Sequence, residues 1–259
     1  MFLNKTMIFV SSVRRALLKL FVPRFIWPKS VVIDGLSIPL RSAPYSYGIK
    51  NLLKKGEYEN AERFMVNNFV IAGDCVFEMG GSIGILTAII AEKIGPSGRL
   101  LSIEADEKLV SYSSTWLSRY PTVTIKAGYG YPVYSVSGFI RSRFHRANGS
   151  LGGYVEYNLE KDDSSGPVNA SRPNYFLKDF YLLLSVNPTV LIIDIEGAEV
   201  IVNHVAPCIP STIRLVLIEL HPGMYGHSVE LNVISVFESC GFYVSRKLEN
   251  VYALMRATV

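Results

Sequence analysis

The sequence predicts an α/β fold in which a mostly parallel sheet is covered by helices on both faces. Short continuous apolar runs alternate with segments of helical composition, which is typical of parallel strands buried on both faces. A glycine-rich turn, Gly80-Gly81-Ser82-Ile83-Gly84, directly follows one run, and the last two runs flank only Glu249-Asn250, as in an antiparallel hairpin. A chain of 259 residues, 49% of them hydrophobic, can bury one large core of this kind.

The first two predicted elements precede the sheet. Two apolar runs flank Asp34-Gly35, a pair favoured in tight turns, so residues 31–40 are predicted to form a β-hairpin. Residues 57–69 are predicted to form a helix that leads to a turn at Gly73. The predicted regions are 1–30, a basic amphipathic segment; 31–73, this hairpin and helix; and 74–259, the α/β domain, with an insertion at about 129–174.

Strands and helices alternate after this turn. A strand is predicted up to Met79, and an apolar helix over 84–94 ends at Gly95-Pro96, a common helix stop signal. The last two runs are predicted to pair as a hairpin at the edge of the sheet. The other predicted elements are strands at 99–104, 122–126, 190–194 and 215–220, helices at 107–119 and 229–239, and the hairpin strands 242–248 and 251–256.

The alternation stops between Tyr129 and Asn174. In open α/β sheets, ligands bind beyond the carboxyl ends of the strands, so a long insertion after the third strand is a candidate substrate lid. The alternative is a solvated loop, which we favour for the polar tract 160–170. Four basic residues in the insertion would suit an anionic or phosphorylated acceptor: Arg141, Arg143, His145 and Arg146.

Charge is distributed unevenly along the chain. Residues 1–30 contain six cations and no acid, so the remainder carries a net charge of −2 against +4 for the whole chain. General nucleic-acid binding is therefore not expected. The basic segment either lies on an anionic membrane surface or packs on the domain, and we favour packing. The chain has an odd number of cysteines, Cys75, Cys208 and Cys240, and they lack metal-site spacing. Neither a disulfide framework nor a zinc site is therefore suggested, and we expect reduced thiols in a cytoplasmic protein.

The glycine-rich turn predicts a nucleoside-type cofactor. A dinucleotide fingerprint would need glycine where the chain has Met79, but the frame acid-x-Gly-x-Gly-x-Gly fits from Glu78 onward, with Ser82 as its one departure. That frame resembles the one in S-adenosylmethionine-dependent methyltransferases. Glu78 would face the amino end of the cofactor, and Glu104 would accept the ribose hydroxyls. The alternative is a turn that merely joins a core strand to a helix. The predicted cofactor-binding residues are Glu78, Gly80, Gly81, Ser82, Gly84, Glu104 and Ala105.

A second group of acids is predicted at the same sheet edge. Asp194 ends the fourth strand and Glu219 the fifth, and carboxyl ends of parallel strands meet at one edge. Glu219 and His221 share one side of their strand because side chains alternate. The unperturbed pKa of histidine lies near neutrality, so His221 is the best-placed proton acceptor. Each acid taken alone could instead be a strand-end cap.

The chain is similar to FkbM-type methyltransferases over about residues 31–256. The run at 194–199 is the most specific part of the resemblance. Two positions depart from the family, which usually has aspartate at Glu78 and lysine at Ile192. The elements that carry the resemblance are Tyr58-Glu59, Gly73-Asp74, Glu78-Met79-Gly80-Gly81-Ser82-Ile83-Gly84, Ile103-Glu104-Ala105, Asp194-Ile195-Glu196-Gly197-Ala198-Glu199 and Glu219-Leu220-His221-Pro222.

This resemblance implies a Rossmann-like class I methyltransferase with a seven-stranded sheet. It further implies S-adenosylmethionine as cofactor and methyl transfer to a hydroxyl oxygen of a sugar, glycolipid or natural-product acceptor. The expected catalytic residues are Asp194, His221 and Glu196, with His221 or Asp194 as the base. No metal site is predicted, but a divalent metal on these residues or Glu219 is an alternative way to acidify the hydroxyl.

Two other functions stay open. The loss of the family lysine at Ile192 favours a non-catalytic scaffold that binds a nucleoside cofactor or a glycan. The second open function is a nicotinamide-dependent oxidoreductase. Met79 argues against it because it stands where the dinucleotide fingerprint needs glycine. The expected location is the cytoplasm, with peripheral membrane contact through residues 1–30 left open.

Overall fold

The computed structural model describes residues 27–41, 43, 45–132, 139–146, 153–160, 172–202 and 209–257, and only the backbone of 139–146 and 153–160. Nearly all of the predicted basic segment lies outside these residues, so its role stays a prediction. The chain divides into two compact units, Met1–Tyr58 and Glu59–Val259. Among the described residues, every helix is too short or too polar to cross a membrane.

The first unit contains the predicted hairpin. Strands β1 (Ser30–Ile33) and β2 (Leu36–Pro39) pair antiparallel, and both turn residues have positive φ, 48° at Asp34 and 81° at Gly35. This geometry is what an Asp-Gly turn favours, so the hairpin is confirmed. Helix α1 (Tyr47–Lys55) was not predicted, although the Ser46 hydroxyl caps it by accepting a hydrogen bond from the backbone N–H of Ile49.

The second unit is built on a seven-stranded sheet. Its strands are β3 (Cys75–Met79), β4 (Arg99–Glu104), β5 (Val123–Ala127), β10 (Val190–Ile193), β11 (Leu215–Glu219), β12 (Phe242–Leu248) and β13 (Val251–Arg256). Their order is β12-β13-β11-β10-β3-β4-β5, all parallel except that β13 runs antiparallel to both neighbours. The predicted mostly parallel sheet with an antiparallel edge hairpin is therefore confirmed, and the order is that of class I methyltransferases.

Helices cover both faces of this sheet, as predicted. On one face, Phe77 of β3 packs against Phe180, with ring centroids 5.9 Å apart, in a core that also contains Phe237. On the other face, Glu78 of β3 meets Thr87. The helices are α2 (Asn60–Phe69), α3 (Ile85–Ile94), α4 (Glu107–Leu117), α5 (Leu177–Leu184), a 3-10 helix (Ala198–Ile201), α6 (Pro222–Tyr225) and α7 (His227–Ser239).

The insertion contains more regular structure than its sequence indicates. The backbone of β7 (Phe139–Arg146) and β8 (Gly153–Glu160) forms an antiparallel hairpin, and short strands β6 (Tyr129–Gly130) and β9 (Asn174–Tyr175) pair beside it. The loop alternative for the basic cluster is therefore wrong, because all four residues belong to β7. Strand β8 lies against the 3-10 helix, near the carboxyl edge of the sheet. The tract after residue 160 lies outside the described residues.

Candidate active site

The glycine turn packs directly on the start of the second motif. Gly80 has a φ of 94°, and a side chain there would overlap the backbone carbonyl of Asp194. Gly84 has a φ of 84°, and a Cβ there would lie 2.7 Å from Leu117. Glycine is thus required at both positions by contacts within the protein. The close approach at Gly80 also brings the two predicted motifs together.

Glu104 fixes the other side of this turn. One carboxylate oxygen accepts a hydrogen bond from the backbone N–H of Ser82 at 2.8 Å, and the other from that of Asp106 at 2.6 Å. Ser82 itself adopts a φ of 46°, a conformation more typical of the glycine that the frame expects there. Glu104 is buried, and burial raises its pKa, although these N–H groups oppose the shift. Each oxygen retains a lone pair, so the predicted ribose contact stays a prediction.

Glu78 lies beneath the turn as a buried carboxyl. Its Oε2 accepts a hydrogen bond from the Thr87 hydroxyl at 2.7 Å, whereas Oε1 has no hydrogen-bond partner among the described residues. Burial raises its pKa to about 7, against the hydrogen bonds of Ser102 and Thr87. Ile192 is its neighbour in register on β10. Glu78 therefore stands beside an apolar side chain on that strand.

Glu78→Gln is expected to stabilise the cofactor-free protein by about 3 kcal/mol above pH 7. The folded-state pKa of about 7 exceeds the reference value of 4.5, so the folded state binds more protons and wild-type stability falls as pH rises through this window. Urea unfolding at pH 4.5 and 8 measures the difference. The direction of this shift would be contradicted if the free energy of unfolding of the wild type rose from pH 4.5 to pH 8 and this rise were absent in Glu78→Gln.

The second half of the site gathers acids around His221. From His221 Nε2, a carboxylate oxygen lies at 3.4 Å in Glu196, 3.8 Å in Glu219 and 4.0 Å in Asp194. The structure thus brings together the three predicted catalytic residues. Asp194 Oδ1 is buried and has no hydrogen-bond partner among the described residues. Glu196 is more exposed and has a φ of 50°, so its backbone is held in a conformation that non-glycine residues rarely adopt.

The acids change the protonation expected for His221. Burial lowers its pKa, but the hydrogen bond to Glu199 and the nearby carboxylates outweigh burial and raise it to about 9. Burial and the neighbouring acids, Glu219 foremost, hold the pKa of Asp194 well above its usual range. Burial and Glu62 raise that of Glu219 to about 7. The ring is therefore protonated at neutral pH, and the carboxylates are better suited to accept a proton.

Glu199 was not predicted as a site residue. Its side chain is fully buried and turns back into its own loop. It accepts hydrogen bonds from the backbone N–H groups of Ile195 at 3.3 Å and Gly197 at 3.0 Å, and lies 3.2 Å from Nδ1 of His221. The sequence signal for a role of Glu199 is the position of an acid two residues after Gly197.

A small cleft lies beside the cluster. Its floor is formed by the ends of β10 and β11, and α2 supplies one wall. Ile192 contributes to its apolar part. The lining residues are Glu62, Val66, Leu86, Ile192, Ile193, Asp194, Leu217, Ile218, Glu219 and Val251.

The spacing of three side chains would allow them to hold a metal ion. One potential ligand atom from each of Asp194, Glu219 and His221 lies within 4.8 Å of the other two. Ion pairing between a protonated imidazole and its carboxylates accounts for the same contacts. Ala105, the last predicted cofactor residue, follows β4, and its carbonyl accepts a hydrogen bond from Arg172. Arg172 also lies 3.5 Å from Glu107.

A family model described as protein-L-isoaspartate(D-aspartate) O-methyltransferase matches residues 63–136. This range includes the glycine turn and Glu104 but ends before Asp194. It covers less than a third of the chain. No curated protein matches the sequence.

Several solved structures are similar to this chain. Fibrillarin from Aeropyrum pernix, with natively bound S-adenosyl-L-methionine, has 12% identity and a TM-score of 0.42 over 75% of this chain and 72% of its own. Precorrin-6y C5,15-methyltransferase from Geobacter metallireducens has 10% identity and a TM-score of 0.44 over 88% and 96%. An S-adenosylmethionine-dependent O-methyltransferase from Thermotoga maritima has 13% identity and a TM-score of 0.40 over 78% and 67%.

Proposed function

We propose that this protein transfers the methyl group of S-adenosylmethionine to a hydroxyl oxygen of a sugar, glycolipid or natural-product acceptor. The observation that carries the proposal is the contact between Gly80 and Asp194, which places a cofactor-type glycine turn directly against a cluster of titratable groups. The FkbM resemblance supports the hydroxyl acceptor. The cytoplasm is the proposed location.

The turn and its two acids fit the cofactor. Glu78 Oε1 is a buried acceptor without a protein donor among the described residues, as the ammonium of the methionine part requires. Glu104 offers its remaining lone pairs to the ribose hydroxyls. Gly81 has little free space, because a side chain there would overlap Ser102. These residues, with Ser82 and Ala105, would hold the cofactor.

S-adenosylmethionine supplies a methyl group whose departure from sulfur needs no proton. The protein therefore chiefly aligns the acceptor, which can lower the barrier by about 7–11 kcal/mol, and takes its proton. We assign the proton to Asp194, with Glu219 sharing it, because both have raised pKa values near the cleft. His221 serves as the positive partner of these acids, and Glu196 bounds the exposed side of the cluster. The β7–β8 hairpin is the proposed lid.

The proposal is tested by incubating the full chain with S-adenosylmethionine carrying a labelled methyl group and a panel of sugars, glycolipids and natural products with free hydroxyls. The expected result is transfer to at least one acceptor, unchanged in excess chelator. Loss of transfer in chelator that Mg²⁺ or Mn²⁺ restores would replace the metal-free base with a metal. Cofactor binding with no transfer to any acceptor would support the scaffold function that Ile192 favours.

A further inference from the structure

Glu199 connects the Asp-x-Glu-Gly-x-Glu loop to the neighbouring strand end. The loop follows β10, whereas His221 follows β11, and this buried carboxylate is one of the groups that link the two chain segments. The backbone N–H of Gly197 donates to both of its oxygens, at 3.1 and 3.0 Å. Two backbone N–H groups therefore hold the carboxylate before His221 is considered, because Ile195 donates as well. A fixed, fully buried acceptor is well suited to orient a ring.

The two nitrogens of the His221 ring face different surroundings. Nδ1 faces Glu199 inside the protein, while Nε2 faces Glu196, Glu219 and Asp194 at the crevice. In the protonated ring both nitrogens carry a proton, and a hydrogen bond at one of them fixes how the ring is turned. Contact with Glu199 therefore leaves Nε2 facing the three acids at the crevice.

Tyr225 completes the support of this carboxylate. Its hydroxyl accepts a hydrogen bond from the backbone N–H of His221 at 2.6 Å and is hydrogen-bonded to Glu199. Tyr225 lies on α6 and Glu199 in the 3-10 helix, so these two elements together support the position of His221. The titratable groups that face His221 are thus Asp194, Glu196, Glu199, Glu219 and Tyr225.

We propose that Glu199 is a positioning residue that holds the ring of His221 through Nδ1 and so keeps Nε2 facing the acids at the crevice, Glu196, Glu219 and Asp194. This inference deepens the proposed function and rests on it for its effect on methyl transfer. The hydrogen bond itself is independent of the reaction, so the two can fail separately.

Glu199→Gln tests the proposal by removing the charge while keeping the shape. With histidine labelled at its ring atoms and His221 assigned from a His221→Gln variant, NMR measures its pKa and the exchange of its Nδ1 proton. We expect an exchange-protected Nδ1 proton in the wild type, its loss in the variant, and a fall in pKa of at least about one pH unit. With an acceptor in hand, kcat should fall about 10²-fold with the KM for S-adenosylmethionine unchanged.

Glu196→Gln is the matched control, because it also removes one negative charge beside the ring but contacts Nε2. It should retain the protected Nδ1 proton. A Glu199→Gln protein that melts at lower temperature but keeps both the protected proton and the wild-type pKa would reduce Glu199 to a structural role and overturn the proposal. Normal NMR results with no methyl transfer by the wild type would instead reject the proposed function alone.

If Glu199→Gln does not fold, Tyr225→Phe tests whether Glu199 holds the ring of His221. It removes one hydrogen-bond partner of the carboxylate and the acceptor of the His221 backbone N–H, and it leaves the Glu199 carboxylate and the ring unchanged. The pKa of His221 should stay at or above its wild-type value, because Glu199 then binds the ring more strongly. A fall in that pKa together with loss of the Nδ1 proton would show that Glu199 does not hold the ring.

Discussion

Asp194→Asn is expected to lower kcat for methyl transfer by about 10²- to 10⁴-fold, the usual contribution of a general base. The substitution keeps the backbone that packs against Gly80 and removes only the proton acceptor. Cofactor affinity should therefore stay at the wild-type value, and steady-state kinetics with calorimetry measures both quantities.

Glu238→Gln is a suitable control for Asp194→Asn, because Glu238 is an exposed acid at the end of α7. It should leave kcat unchanged. Wild-type kcat in Asp194→Asn would remove this residue from the chemistry. Loss of cofactor binding in the same variant would indicate that Asp194 belongs to the cofactor half of the site.

Gly80→Ala is expected to destabilise the folded protein by about 4 kcal/mol or more, the range of severe backbone clashes. Two costs combine, since Gly80 has a positive φ of 94° and a Cβ would overlap the Asp194 carbonyl, which belongs to the backbone and has little room to move. Thermal denaturation without cofactor measures the effect.

Gly223→Ala is the matched control for Gly80→Ala. A Cβ at Gly223 meets nothing within 4 Å, and its φ is not positive. Its melting temperature should stay close to that of the wild type. Equal melting temperatures for the two variants would mean that the turn and Asp194 are not in contact, which removes the observation behind the proposed function.

The sheet could be predicted because its strands are continuous apolar runs. Such runs identify buried parallel strands with little ambiguity when helices separate them. Helix α5 was missed because its short run, Tyr181-Leu182-Leu183-Leu184, fits a strand as well as a helix. The β7–β8 hairpin was not predicted because the charged residues of β7 interrupt its apolar pattern, which left this part of the insertion open between a substrate lid and a solvated loop.

The candidate site was predicted in outline only. Parallel topology was enough to bring Asp194 and His221 to one edge. The sequence could not show that Glu199 turns back on its own loop, because that depends on the conformation of Glu196 and Gly197, both at positive φ. The pKa of His221 depends on three nearby carboxylates, Glu199, Glu219 and Glu196, so a pKa near neutrality was a poor expectation for it.

The central claim is that the glycine turn and Glu104 bind S-adenosylmethionine. The most direct measurement is isothermal titration of S-adenosylmethionine into the wild type and Glu104→Gln, with thermal denaturation to verify that both are folded. We predict one molecule bound per chain and an affinity at least about 10-fold weaker in the variant, as expected when a charged hydrogen-bond acceptor is lost. No binding to the folded wild type, or equal affinity in both proteins, would contradict the claim.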